Sequence, residues 1–122
     1  MADMQTHKEM YNKFKRDAEN RGLFDATRAE AYFLAAYHLV EACAAKSRVH
    51  IHKHQLVRKR LEENEFIFGA KTRAVWESFQ RIENQLRPKF VYGGRGSQTD
   101  LERIEREFRK LEEICLEVLR GD

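Results

Sequence analysis

Proline is almost missing from this chain of 122 residues: Pro88 is the only one, and 35% of the residues are charged. That balance suits exposed helix faces and fits badly with a sandwich of short strands. The two cysteines, Cys43 and Cys115, are too few for a disulfide framework. Each stands at an apolar position of a helical pattern, so both read as buried small hydrophobes in a reducing, cytoplasmic setting. Long apolar runs are also missing. No segment reaches the length of a membrane span, and the opening MADMQTHKEM carries no apolar stretch of the signal-peptide kind, so no membrane partner is expected. The length fits one domain over residues 1–122, built around one core.

The most informative absence is of acid. Ala45 to Leu61 and Asn84 to Gly96 contain no Asp or Glu, yet they hold Lys46, Arg48, Lys53, Arg58, Lys59 and Arg60 in the first and Arg87, Lys89 and Arg95 in the second. Taking these 9 cations from the chain's 23 leaves 14 against 20 acidic residues, or −6, so a total of +3 hides a polarised molecule. Such polarity points to a polyanion partner.

Helical periodicity accounts for most of the rest. Met4, His7, Tyr11, Phe14 and Ala18 form one stripe that stops near Gly22. Thr27 with Glu30 reads as a capping box opening AYFLAAYHLVEACAA, which is apolar on nearly every side and is therefore the central helix. His54, Val57 and Leu61 share a face of a shorter helix that ends between Phe66 and Gly69. Val75, Phe79, Ile82 and Leu86 line a helix expected to end near Arg87, because Pro88 disfavours helical geometry in the residue before it. FVYGGRGSQ then reads as a glycine-rich loop, and Thr99 with Glu102 as a second capping box. Leu101, Ile104, Phe108, Leu111, Cys115 and Val118 stripe the last helix. The expected fold is an all-α, up-and-down bundle of about five helices. If direction alternates along all five, the two acid-free stretches meet at one end.

His50, His52 and His54 in RVHIHKH invite a metal reading. No CxxC, HExxH or nearby carboxylate completes a ligand set, and Arg48 and Lys53 oppose a cation, so no metal and no cofactor is assigned. His7 and His38 read as core histidines, and Trp76 as a core or interface anchor. Arg87, Lys89, Phe90, Tyr92 and Arg95 interleave cations for phosphates with aromatics on which an unpaired base can stack. The phosphate-binding candidates are therefore Arg48, His50, Lys53, His54, Arg58, Arg87, Lys89 and Arg95, and the stacking candidates Phe90 and Tyr92. Gly93, Gly94 and Gly96 match no phosphate-loop fingerprint and read as a turn.

The order of a central AYFLAAYHLVEA helix, a helix beginning KHQLVRKRL, a helix running into LRPKFVYGG and a final amphipathic helix resembles the HEPN family of small helical bundles, over roughly Tyr11 to Leu119. Many members carry an arginine followed after four to six residues by a histidine and are metal-independent ribonucleases, some of them toxins beside a small nucleotidyltransferase. Arg87 stands at the arginine position, but Tyr92 stands where the histidine falls. A phenol with a pKa near ~10 is a poor base at neutral pH. The resemblance thus implies a module that binds RNA or nucleotide phosphates at a basic bundle end, with a nucleotidyltransferase as the implied partner. One alternative is a ribonuclease that uses Arg87 with Tyr92 or with His50, His52 or His54. The other is a ligand-free homodimeric assembly protein whose interface includes Trp76.

Overall fold

The computed structural model describes residues 3–91 and 94–121, and among these there is no strand. Helix α1 (Met4–Ala18) begins at Asp3, whose carboxylate accepts the Thr6 N–H at 2.9 Å, and it buries His7, Tyr11 and Ala18. Helix α2 (Asp25–Lys46) is the centre of the molecule, with Tyr32, Phe33, Leu39, Val40 and Cys43 all essentially inaccessible. It opens at Asp25 rather than at Thr27, so the expected Thr27–Glu30 capping box is not formed. Both residues lie inside the first turns, where Glu30 is available to another helix.

An extended segment follows α2 and leads through a short 3-10 turn to α3 (Val57–Glu63). Two further 3-10 turns, Glu65–Ile67 and Gly69–Lys71, lead to α4 (Thr72–Gln80). The helix does not end at Arg87 as the proline rule suggests. It widens into a π-helical stretch, Arg81–Leu86, and continues as α5 (Arg87–Val91), with Arg87 itself helical at φ −54° and ψ −43°. Proline removes a donor and crowds the carbonyl four residues earlier. The wide turn immediately before Pro88, closed by the Arg87 N–H bonding to Ile82 O, makes room for the ring. The last helix, α6 (Gln98–Arg120), is capped by Ser97 and Asp100 in a reciprocal box, two residues ahead of the expected Thr99–Glu102 pair.

Contacts between helices fix their directions. His7 meets His38 and Arg28 reaches the Ala18 carbonyl, so α1 and α2 are antiparallel. Phe79 packs near Phe33 while Arg87 bonds Glu30, so the α4–α5 rod is antiparallel to α2. Tyr32 lies on Phe108, Cys43 on the Cys115 carbonyl and Lys46 on the Val118 carbonyl, so α6 is parallel to α2. The four long helices therefore run up, down, up, down, with α3 added at one flank.

That arrangement overturns the expected meeting of the acid-free stretches. The chain after Lys46 climbs back along α2 as an extended pass before α3 begins, with His54 level with Phe33 and Arg58 level with Trp76. This unforeseen pass takes one place in the alternation. The α2–α3 connection consequently leaves from the end where Lys46 meets Val118, and the α5–α6 connection lies at the other end, beside Leu23 and Phe24.

Three polar groups are built into the core. Glu112, buried, accepts from Tyr11, Lys15 (2.7 Å) and Arg109 (3.3 Å) and so ties α1 to α6. Glu41, buried, accepts from Tyr37 at 2.8 Å and from the Ile51 N–H at 3.1 Å, fixing the extended pass to α2. His7 and His38 share a hydrogen bond between Nδ1 atoms at 3.0 Å. Cys43 and Cys115 are both buried and free, as small hydrophobes should be, and burial together with the adjacent Cys43 pushes the Cys115 thiol well up.

Candidate functional site

Phe33 on α2 organises the most chemically varied cluster. The Arg87 guanidinium lies over its ring at 4.1 Å, and the His54 imidazole meets it edge-on at 5.1 Å between centroids. Each of the two has its own carboxylate. Arg87 Nε donates to Glu30 Oε1 at 2.7 Å, with Nη2 at 3.5 Å from Oε2, and His54 Nδ1 is hydrogen-bonded to Glu83 Oε2. A buried carboxylate needs such a partner, since leaving it unpaired costs about 1–3 kcal/mol or more. Local structure explains the convergence. The π-helical turn sets Glu83 inward toward His54 while Arg87, one turn on, faces Glu30. The 3-10 turn at His54 ends the extended pass at the level of Phe33.

The site residues foreseen from sequence do not form one pole. Arg48, Lys53 and Arg95 are exposed. His50 is half-buried, its ring 5.9 Å from that of His52. Arg58 lies over the Trp76 ring at 4.0 Å and pairs with Glu62 at 3.3 Å. Lys89 pairs with Asp100 at 3.2 Å. Arg87 is 14% exposed in its side chain, between Glu30 and Phe33, so its charge is largely compensated.

One expectation changes. Phe90 is buried, with its ring against Gly96, so it closes the α5–α6 connection and offers no face to a base. Gly96 is needed for that close approach. Trp76 is buried beneath Arg58, which is the core role of the two expected for it. Tyr92, the second candidate for catalysis and stacking, and Gly93 lie outside the described residues. Among the described residues no group of three or more His, Cys, Asp or Glu is placed to hold a metal, and His54 turns to Glu83 rather than to the other two histidines.

A cavity of about 560 Å³ opens beside the cluster, lined by Phe14, Leu34, Phe90 and Val91 with Asp17, Glu30 and Arg87. Its two acids and one cation make it a poor seat for a phosphate, which moves attention to the His54 side of Phe33. Sequence reasoning missed Glu30, Phe33 and Glu83. The only signal was a spacing of four between Glu83 and Arg87, which places both on one helical face. The fold and cluster together define an all-α bundle with an aromatic-centred, charge-paired polar site, and among the described residues no helix is long and apolar enough to cross a membrane. Family models, curated proteins and solved structures give no match to this chain.

Proposed function

We propose that the protein is a HEPN-like helical module that binds RNA or nucleotide phosphates. The observation that carries this reading is the convergence of His54 and Arg87, one from each acid-free stretch, on the ring of Phe33. Imidazole and guanidinium are both phosphate donors, and the aromatic ring that both contact helps to hold their orientation. A small nucleotidyltransferase is the partner that the resemblance implies, and a homodimer is the assembly proposed beside it. Fluorescence anisotropy with a labelled RNA oligonucleotide tests the reading. Binding should fall steeply with salt, survive Tyr92→Phe, and weaken at least tenfold in His54→Ala with Arg87→Ala, whose melting temperature is checked in parallel. Salt-insensitive binding, or affinity unchanged in that double variant, refutes it.

A second reading, metal-independent ribonuclease, is favoured by one feature: His54 contacts the same Phe33 ring as Arg87, although Tyr92 occupies the sequence position. Hydrogen bonding of Nδ1 to Glu83 leaves Nε2 as the nitrogen able to accept a proton. Incubation with labelled RNA in chelator decides it. Absence of cleavage, or cleavage untouched by His54→Ala, removes this activity while leaving the binding reading intact.

A further inference from the structure

Neighbours cover α2 along most of its length, yet one face of its first half is left open. Ala26, Glu30 and Leu34, at steps of four and about 12 Å from first to last, form the floor of a groove on that face. Ala26 is exposed, and Glu30 and Leu34 are half-buried. Phe14 and Asp17 of α1 make one wall, and Arg87 and Val91 of α5 make the other. Past Ala26 and Phe90, which border both, the groove continues into a second hollow of about 490 Å³ beside Leu23, Phe24 and Asp25. The groove also gathers bulky apolar surface that the fold leaves in water. Three large apolar side chains are exposed among the described residues, and two of them, Phe24 at 85% and Val91 at 42%, stand here.

Charge in this groove runs against that of the molecule. The chain carries +3 in all, but among the described residues the groove is lined by Asp17, Asp25 and Glu30 against Arg87 as its one cation, and Arg87 is bound to Glu30. Asp17 and Asp25 enter no ion pair among the described residues. Asp17 also stands in the last turn of α1, where the negative end of the helix dipole disfavours a carboxylate. A cation brought to the groove relieves that conflict.

We infer that this groove docks a basic amphipathic helix of a partner protein, laid along α2 between α1 and α5, with an apolar anchor in each hollow and cations facing Asp17 and Asp25. Two hollows on either side of Phe90 suit anchors seven residues apart, about 10 Å along a helix, and the small side chains of Ala26 and Ala31 permit close approach. The acids select against other occupants. They repel a polynucleotide or an anionic membrane, and a second copy in a two-fold contact would set Asp17 and Asp25 against the same acids of its partner. The inference does not depend on phosphate binding beside His54.

The test uses a labelled eighteen-residue amphipathic helical peptide of leucine and lysine beside its leucine–glutamate counterpart, with affinity read by anisotropy and the contact located by amide chemical shifts. The lysine peptide should bind at least tenfold more tightly than the glutamate peptide and shift the amides of Phe24, Leu34 and Val91. Phe24→Ala with Val91→Ala, both on exposed side chains, should weaken it at least tenfold. Asp17→Asn with Asp25→Asn should remove most of the preference for lysine. Melting temperatures of both double variants are checked in parallel. No binding of the lysine peptide, equal affinity for the two peptides, affinity unchanged in Phe24→Ala with Val91→Ala, or shifts confined to other faces overturns the inference. Self-association in sedimentation that Phe24→Ala with Val91→Ala abolishes also overturns it, by assigning the groove to a second copy. None of these outcomes touches the phosphate reading.

Discussion

Glu83 and His54, 29 residues apart in the chain, meet in a hydrogen bond that joins the π-helical turn of the α4–α5 rod to the end of the extended pass. Glu83 is buried and His54 only partly so, hence the carboxylate depends on the imidazole more than the reverse. His54→Ala is expected to cost about 1–3 kcal/mol, the penalty for an unpartnered buried polar group. Adding Glu83→Gln should recover part of that loss, so that a double-mutant cycle in urea shows a coupling energy of about 0.5–3 kcal/mol. Strict additivity would show that the bond contributes nothing.

Gly96 lies directly under the Phe90 ring, and a Cβ there has no room. Gly96→Ala should destabilise by about 1–3 kcal/mol through overpacking. Phe90→Ala on that background relieves the collision while opening a cavity, so its cost should be smaller than on the wild-type background. Equal melting temperatures for wild type and Gly96→Ala would refute the packing.

Acid should destabilise the protein in two stages. Burial and neighbouring His7 hold His38 below its ordinary value of 6.5, with Glu41 opposing. The stabilising neutral form therefore counts fully above that pH, and its contribution is lost as pH falls, because the unfolded chain takes the proton first. Glu112 follows lower down. Burial works to raise its carboxyl, but hydrogen bonds from Lys15 and Tyr11 and the charges of Lys15 and Arg109 outweigh it and bring it below 4.5. Melting temperature should thus be level from about pH 7 to 8 and begin to fall below about 6.5. His38→Gln should flatten the upper stage only, and an unaltered upper stage would acquit this histidine.

Glu112 itself offers a packing test. Glu112→Ala strands the Tyr11 hydroxyl, while Lys15 and Arg109 can turn to solvent. The expected loss is about 1–3 kcal/mol, below the 3–5 typical when a fully buried pair is broken. Burial and the Glu112 charge now push the Tyr11 phenol up, so ultraviolet titration should find its ionisation moving down in the variant. An unmoved titration would mean that Glu112 does not set that phenol.

Helix content was legible because periodicity is local. The stripe from Met4 to Ala18 and that from Leu101 to Val118 identify buried faces with no knowledge of what covers them. Capping was legible in kind but not in register. Thr27–Glu30 and Thr99–Glu102 carry the right residues, yet α2 starts at Asp25 behind Phe24 with no side-chain cap, and α6 starts at Gln98, where Ser97 and Asp100 form the box. Pro88 misled because the preference against helical geometry in the residue before proline is a bias that Arg87 overcomes, while the π-turn relieves the crowding of the carbonyl four residues earlier.

The site was less legible, since nothing local links Arg87 to Glu30 or His54 to Glu83, at separations of 57 and 29 residues. The acid-free stretches counted correctly as sequence but were placed at one pole, because an extended pass with no periodic pattern cannot be counted as a traverse. What the sequence determined by itself was the helical class, the central place of α2 and the existence of two cationic stretches, all set by composition and by spacing within single elements. Tertiary structure alone decided that Arg87 is compensated by Glu30, that Phe90 faces inward, and that the connections after α2 and after α5 lie at opposite ends of the bundle. Those outcomes depend on which side chains meet across the bundle, as Arg87 meets Glu30 and Phe90 meets Gly96, and only tertiary packing sets those distances.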